Sequence, residues 1–146
     1  MPSIKILKYT ALLIFLDQLI KRLMIDNADK ILTIIPNFFG FHYTENPGIA
    51  FGIPMPYPLL IVLTTILLIA VLFFAKKEIK LTDTISQLSV ALILAGGFSN
   101  LIDRIFRGFV VDFISIWKWP TFNLADIYIV MGILLIIFFY GKLKKV

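Results

Sequence analysis

The sequence contains no cysteine, which removes disulfides, thiol nucleophiles, thiolate metal sites and any lipid anchor carried on its own thiols. It has one histidine, His42, close to Glu45. A lone imidazole falls short of the three or four protein ligands that a zinc site needs. No metal, and with no nucleotide-binding loop no cofactor, is expected. Charge is also scarce. Charged residues make up 16% of the chain against 60% hydrophobic ones, and the mean hydropathy is +0.95. Such a balance lies outside the range of soluble domains and marks an integral membrane protein. At 146 residues the chain reads as one domain, 1–146.

The formal net charge of +5 is distributed as topology signals, with no nucleic-acid stripe and hence no nucleic-acid partner expected. Apolar runs over 6–25, 57–75, 85–102 and 123–141 are each long enough to cross a hydrocarbon core. Lys5 and Lys8 before an apolar run resemble a signal peptide, but Asp17, Gln18, Lys21 and Arg22 interrupt it and no small-x-small site follows, which predicts a retained span. Asp17 and Lys21 share a helical face and suggest an ion pair turned into the bundle. Four spans put the termini on one side. Lys5, Lys8, Lys76, Lys77, Lys80, Lys142, Lys144 and Lys145 fall there, eight basic residues against six on the other side, and positive-inside then places both termini in the cytoplasm.

Between the first two runs, residues 26–56 hold Pro36, Pro47, Pro54 and Pro56 with Gly40, Gly48 and Gly52, too many breakers for a span. Residues 31–35 and 38–43 are rich in β-branched and aromatic side chains around Pro36-Asn37 and predict short strands with a turn. The expected fold is all-α and membrane-embedded: four transmembrane helices with a small extracytoplasmic β element between helices 1 and 2. The phenylalanines of that element are expected to dip into the interface. Gly96-Gly97 predicts close helix packing in the third run.

The stretch from Gly96 to Asp126 places Asp103, Asp112, Asp126, Asn100, Asn123 and Arg104 between two apolar runs. Ionisable groups near hydrocarbon cost a few kcal/mol, ~2.5–3.5 at a helix centre, so they are functional suspects. Asn123 also suits a helix cap. Two of the aspartates close together would share a proton, one acting as base on water and the other as acid. Spacing leaves open which two, and acids lining an ion path remain an alternative, as does a non-enzymatic assembly role.

Five blocks in order, Asp17-Gln18 with Lys21, Asn46-Pro47-Gly48-Ile49-Ala50-Phe51-Gly52, Gly96 to Arg104, Gly108 to Phe113, and Phe122-Asn123-Leu124-Ala125-Asp126, resemble bacterial lipoprotein signal peptidase, or signal peptidase II. The resemblance implies an intramembrane aspartyl endopeptidase that cleaves diacylglyceryl-modified prolipoproteins just before the lipidated cysteine. By motif position it implies Asp112 and Asp126 as the catalytic pair. Asn46, Gly48, Asn100, Arg104 and Asn123 fall at substrate-contacting positions, and Asp17, Lys21 and Asp103 at positions of polar support. It further implies a monomer surrounded by membrane lipids, multi-pass in the bacterial cytoplasmic (inner) membrane, with the site near the outer leaflet. Pro47, Ile49, Ser99 and Ile127 depart from the residues common in that family and bear on the shape of the substrate groove.

Overall fold

The computed structural model describes residues 4–48 and 55–145. Residues 49–54, which include Ile49, Ala50, Phe51 and Gly52 of the glycine-containing block named above, lie outside the described residues. Among the described residues four helices and three strands follow in the order α1 Ile4–Ile25, β1 Ile31–Ile35, β2 Phe39–Asn46, α2 Tyr57–Glu78, α3 Thr84–Arg107, β3 Val110–Ile116 and α4 Leu124–Leu143.

Helix α3 packs against each of the other three helices. Its sequence permits this because small residues stand where neighbours approach. A Cβ on Gly96 would lie 2.6 Å from Cγ1 of Ile129 and closer still to the Ala125 carbonyl, while one on Gly97 would lie 2.6 Å from Cδ2 of Leu68. From the other side, a Cβ on Gly132 of α4 would meet Cγ1 of Ile93 at 2.6 Å. The expected close packing at Gly96-Gly97 is present. The helix starts on Asp83, whose carboxylate accepts from the amides of Ile85 and Ser86, and ends at Gly108 in the left-handed region, φ 83°.

The third helix is longer than its apolar run, continuing past residue 102 to Arg107. Asp103 sits inside that extra turn with Arg107 four residues on. The paired charges let the helix proceed where hydropathy alone had ended it.

One buried cluster joins Ile6 of α1, Leu68 and Ala75 of α2, and Val90, Ala91 and Leu94 of α3. At the same end Ile79 bridges Lys144, the Lys80 amide donates to the Leu143 carbonyl at 2.8 Å, and the Lys145 amide to the Glu78 carbonyl at 2.8 Å. The start of α1, the α2–α3 turn and the end of α4 therefore share one end of the bundle.

The strands form an antiparallel sheet in the order β1-β2-β3. Two of them lie between α1 and α2, as the breaker-rich composition predicts. The third, β3, follows α3 and pairs with β2 from Phe39 opposite Ile116 to Asn46 opposite Val110, with one irregularity between Phe41 and Thr44. Strand β1 is exposed throughout, whereas the first five residues of β3 are buried. Burial follows attachment, since β3 packs against both α1 and α3 while β1 packs mainly on β2.

Among the described residues three helices, α2, α3 and α4, are long and apolar enough to cross a membrane. Helix α1 is as long as α2 but carries more charge. Its charged Asp17 and Lys21 are buried while Leu7, Leu12, Phe15, Leu19 and Leu23 are exposed.

Candidate active site

The end of the bundle opposite the chain termini collects the polar residues. Asn100, Asp103 and Arg104 come from the last turns of α3, Asp112 from β3, Asn46 from the end of β2, and Asn123 with Asp126 from the start of α4. Asn123 is the cap of α4. Its side-chain oxygen accepts from the Asp126 amide at 3.0 Å, and the Asp126 carboxylate accepts from the Asn123 amide at 3.1 Å, a reciprocal capping box.

That cap fixes more than a helix end. With its oxygen committed to the Asp126 amide, Asn123 must turn its NH2 inward, where it donates to Oδ1 of Asp112 at 2.7 Å and to Oδ1 of Asn100 at 3.1 Å. Asn100 Oδ1 also accepts from the Lys21 ammonium at 3.0 Å, so its own NH2 faces Asp126 Oδ1, at 2.9 Å. Asn46 follows the same rule: its oxygen takes the Gly48 amide at 3.0 Å and its NH2 donates to Asp112 Oδ2 at 2.9 Å. Asn123 and Asn100 thus connect Asp112 to Asp126 and Asn46 holds the other oxygen of Asp112, every side-chain amide with its donor end toward a carboxylate.

Behind this ladder lies a buried ionic cluster. Lys21, fully buried, lies 2.8 Å from Asp17 and 2.9 Å from Asp103, both fully buried as well. Asp17 also accepts from the Ser99 hydroxyl at 2.6 Å and from the Ala125 amide at 2.9 Å, which satisfies a free N–H of the first turn of α4. Asp103 accepts from Gln18 at 2.9 Å, from Arg107, and from the Val111 amide at 3.2 Å. Removing Lys21 alone would leave buried Asp17 without its counter-ion and Asp103 with Arg107 only, and breaking a buried pair in this way typically costs ~3–5 kcal/mol. Through Ala125 and Val111 the cluster holds the backbone beside both Asp126 and Asp112.

Ser99, Gln18 and Arg107 were not among the candidates drawn from the sequence. Their signal was spacing: Ser99 and Asp103 occur at i and i+4, and Gln18 adjoins Asp17, which puts them on faces that meet only once α1 and α3 pack. Arg104, half-buried, reaches the Gly48 carbonyl and the Asn100 carbonyl, both at 3.4 Å, and leaves its buried Nε without a partner among the described residues.

A cavity of about 730 Å³ opens over the ladder. Its lining combines the polar Asn46, Asn100, Arg104, Asp112 and Asp126 with the apolar Trp119, Phe122, Ile127, Val130 and Met131. Burial pushes the Asp112 carboxyl up to about 6; the Asn46 amide opposes that shift and the charge of Asp126 adds to it. A carboxyl with this affinity for a proton, beside a second carboxylate in an apolar-walled cavity, suits general acid–base work on water.

The sequence matches the family described as signal peptidase (SPase) II over residues 9–141. The chain belongs to the signal peptidase II family. This is an aspartic peptidase family, so the protein is an aspartic endopeptidase of membrane-protein character. It is 40% identical over 150 residues to a lipoprotein signal peptidase of Chlorobium phaeobacteroides (strain DSM 266), covering 91% of this chain and 88% of that one. With the lipoprotein signal peptidase of Clostridium novyi (strain NT) it shares 39% identity over 113 residues, 74% of this chain and 76% of that protein. A solved bacterial membrane enzyme superposes with a TM-score of 0.83 at 29% identity, over 94% of this chain and 87% of that one. A second superposes with a TM-score of 0.75 at 28% identity, over 91% and 90%. Signal peptidase II membership and the four-helix plan with its small sheet thus agree.

Proposed function

We propose that this chain is an intramembrane aspartyl endopeptidase that removes signal peptides from diacylglyceryl-modified prolipoproteins, cleaving immediately before the lipidated cysteine. The single observation that supports this most is the amide ladder linking Asp112 and Asp126 at the floor of one cavity. Asp112 and Asp126 are the catalytic pair in this reading. They share one proton: the ionised member takes a proton from water as it attacks the scissile carbonyl, and the protonated member polarises that oxygen, then protonates the leaving amine. The pair titrates as a unit.

Asn46, Gly48, Asn100, Arg104 and Asn123 surround the substrate backbone. Asp17, Lys21 and Asp103 keep the two strand and helix ends in place without touching the substrate. All four helices cross the bacterial inner membrane as one monomeric domain. The supporting observation for α1 is its inverted pattern, charges inward and leucines outward. Both termini lie in the cytoplasm and the cavity near the outer leaflet, where a lipid-modified substrate arrives by lateral diffusion and its cleavage point is positioned by depth.

The test is cleavage of a diacylglyceryl-modified prolipoprotein peptide by the purified protein in lipid, with Asp112→Asn and Asp126→Asn at matched folding. Cleavage before the lipidated cysteine, reduced by at least ~1,000-fold in each variant, is expected. Retention of activity in either variant would remove that residue from the pair, and a folded parent that cleaves none of several substrates would overturn the reading.

A further inference from the structure

We propose that a second, aromatic hollow beside the Asp112 cavity is a subsite for one acyl chain of the substrate's diacylglyceryl group; this rests on the reading of the chain as a peptidase of lipid-modified prolipoproteins. The hollow measures about 450 Å³ and is lined by Phe38, Ile116, Trp117, Lys118, Trp119 and Phe122. Trp119 and Phe122 also line the larger cavity, so the two spaces share a wall.

The larger cavity runs from Asp112 and Asp126 along α4 past Ile127, Val130 and Met131. That direction leads down the helix and suits the apolar signal segment on one side of the scissile bond. The lipid is attached to the residue on the other side of that bond, so its chains leave the reaction point away from α4. The hollow lies on that side, at the far end of β3.

Its chemistry selects hydrocarbon. Among the described residues the lining offers no carboxylate and no amide side chain to answer a peptide's polar groups, and burying those groups unpaired is costly. The one charged residue, Lys118, holds its ammonium 5.4 Å from the centroid of the Trp117 ring, which leaves its methylene stem for the wall.

The hollow is also built rather than incidental. Trp117 adopts φ 47°, a left-handed backbone that bulky residues rarely take. Its amide donates to the Phe38 carbonyl at 2.5 Å, and the Trp119 amide to the Ile116 carbonyl at 2.9 Å, which closes the turn carrying both indoles. Backbone strain of this kind persists where surrounding contacts impose it and is concentrated at ligand clamps. The two indoles nevertheless stay 68% and 62% exposed, presenting apolar faces for an occupant.

The experiment compares prolipoprotein peptides bearing dipalmitoyl or dioctanoyl glyceryl groups, cleaved by the parent protein and by Ile116→Trp, which fills the hollow. The parent is expected to favour the long chains in kcat/KM by roughly tenfold, the scale on which hydrophobic pockets discriminate, and Ile116→Trp to bring that ratio close to one. Comparing ratios cancels any effect of chain length on partition into the lipid phase. An unchanged ratio in the folded variant would place the chains elsewhere and overturn the subsite while leaving the peptidase reading intact.

A second measurement needs no variant. A substrate with a photoreactive diazirine at the end of an acyl chain should label residues 116–122 or Phe38 of the parent protein. Labelling confined to α2 would overturn the subsite. Absence of all cleavage by the parent would remove the peptidase reading, and this inference with it.

Discussion

Asp112 is the residue whose energetics conflict most openly with stability. The residue is 2% exposed and its folded-state pKa is raised to about 6 from an ordinary 3.8. A carboxyl raised in the fold adds stability that is fully present below the unfolded value near 3.8 and is lost as pH rises through about 6. Two pKa units correspond to about 3 kcal/mol. Asp112→Asn is therefore expected to melt several degrees above the parent near pH ~8, with the gap closing as pH falls toward ~4. A series of thermal unfolding curves in detergent checks it. A gap independent of pH would show that Asp112 carries no such burden. The sequence made Asp112 a suspect because an acid stood amid Phe109, Val110, Val111, Phe113 and Ile114. Beyond pairing it with Asp126 by resemblance, the sequence did not reveal the amides that hold that acid, since Asn46 and Asn123 reach it from 66 and 11 positions away.

At the scale of elements the site depends on how closely α4 lies against α3. Gly96 faces the Ala125 carbonyl, one residue before Asp126, and no Cβ fits between them. Gly96→Ala must push the start of α4 outward, and Asp126 moves with it. Displacements near 1 Å at a reacting group can cost ~100-fold in rate, so a ~100-fold fall in kcat is expected from a single methyl group. Gly141→Ala is the control, because nothing lies within 4 Å of a Cβ there; it should leave kcat within error and gain up to ~1 kcal/mol of helix propensity. Equal activities in the two variants would refute the packing argument. The helices and the first two strands were legible because hydropathy, breakers and β-branched residues are local signals. Strand β3 was not. Val110 to Ile116 is a short apolar run that suits either a buried strand or a loop beside a helix, and its partner β2 lies across two intervening helices in the chain. Long-range pairing leaves no mark in a single sequence. The extension of α3 to Arg107 was hidden for a related reason: the charge that stabilises Asp103 comes partly from Lys21 on another helix.

The whole molecule has an electrostatic axis that follows from its topology. Lys76, Lys77, Lys80, Lys142, Lys144 and Lys145 gather at the end where the Glu78–Lys80 segment pairs with the Leu143–Lys145 segment. The carboxylate ladder occupies the other end. Between them the outward faces of α1, α2 and α4 are exposed and apolar, a surface far larger than soluble proteins present and one that lipid would cover. If the lysine end is cytoplasmic, a residue in the α1–β1 connection and one at the end of α2 must lie on opposite sides of the membrane. The absence of native cysteine makes this measurable, since one introduced thiol is the only thiol in the chain. Asp29 and Lys77 are both exposed, so Asp29→Cys and Lys77→Cys should fold with little disturbance. A membrane-impermeant maleimide applied to intact spheroplasts is expected to label Asp29→Cys at once and Lys77→Cys only after the membrane is opened. The reverse pattern would invert the orientation and place the cavity on the cytoplasmic side, away from the outer leaflet in which the proposed substrate is held. Labelling of both from outside would mean that α2 does not cross, and the depth argument that positions the cleavage point would lose its basis.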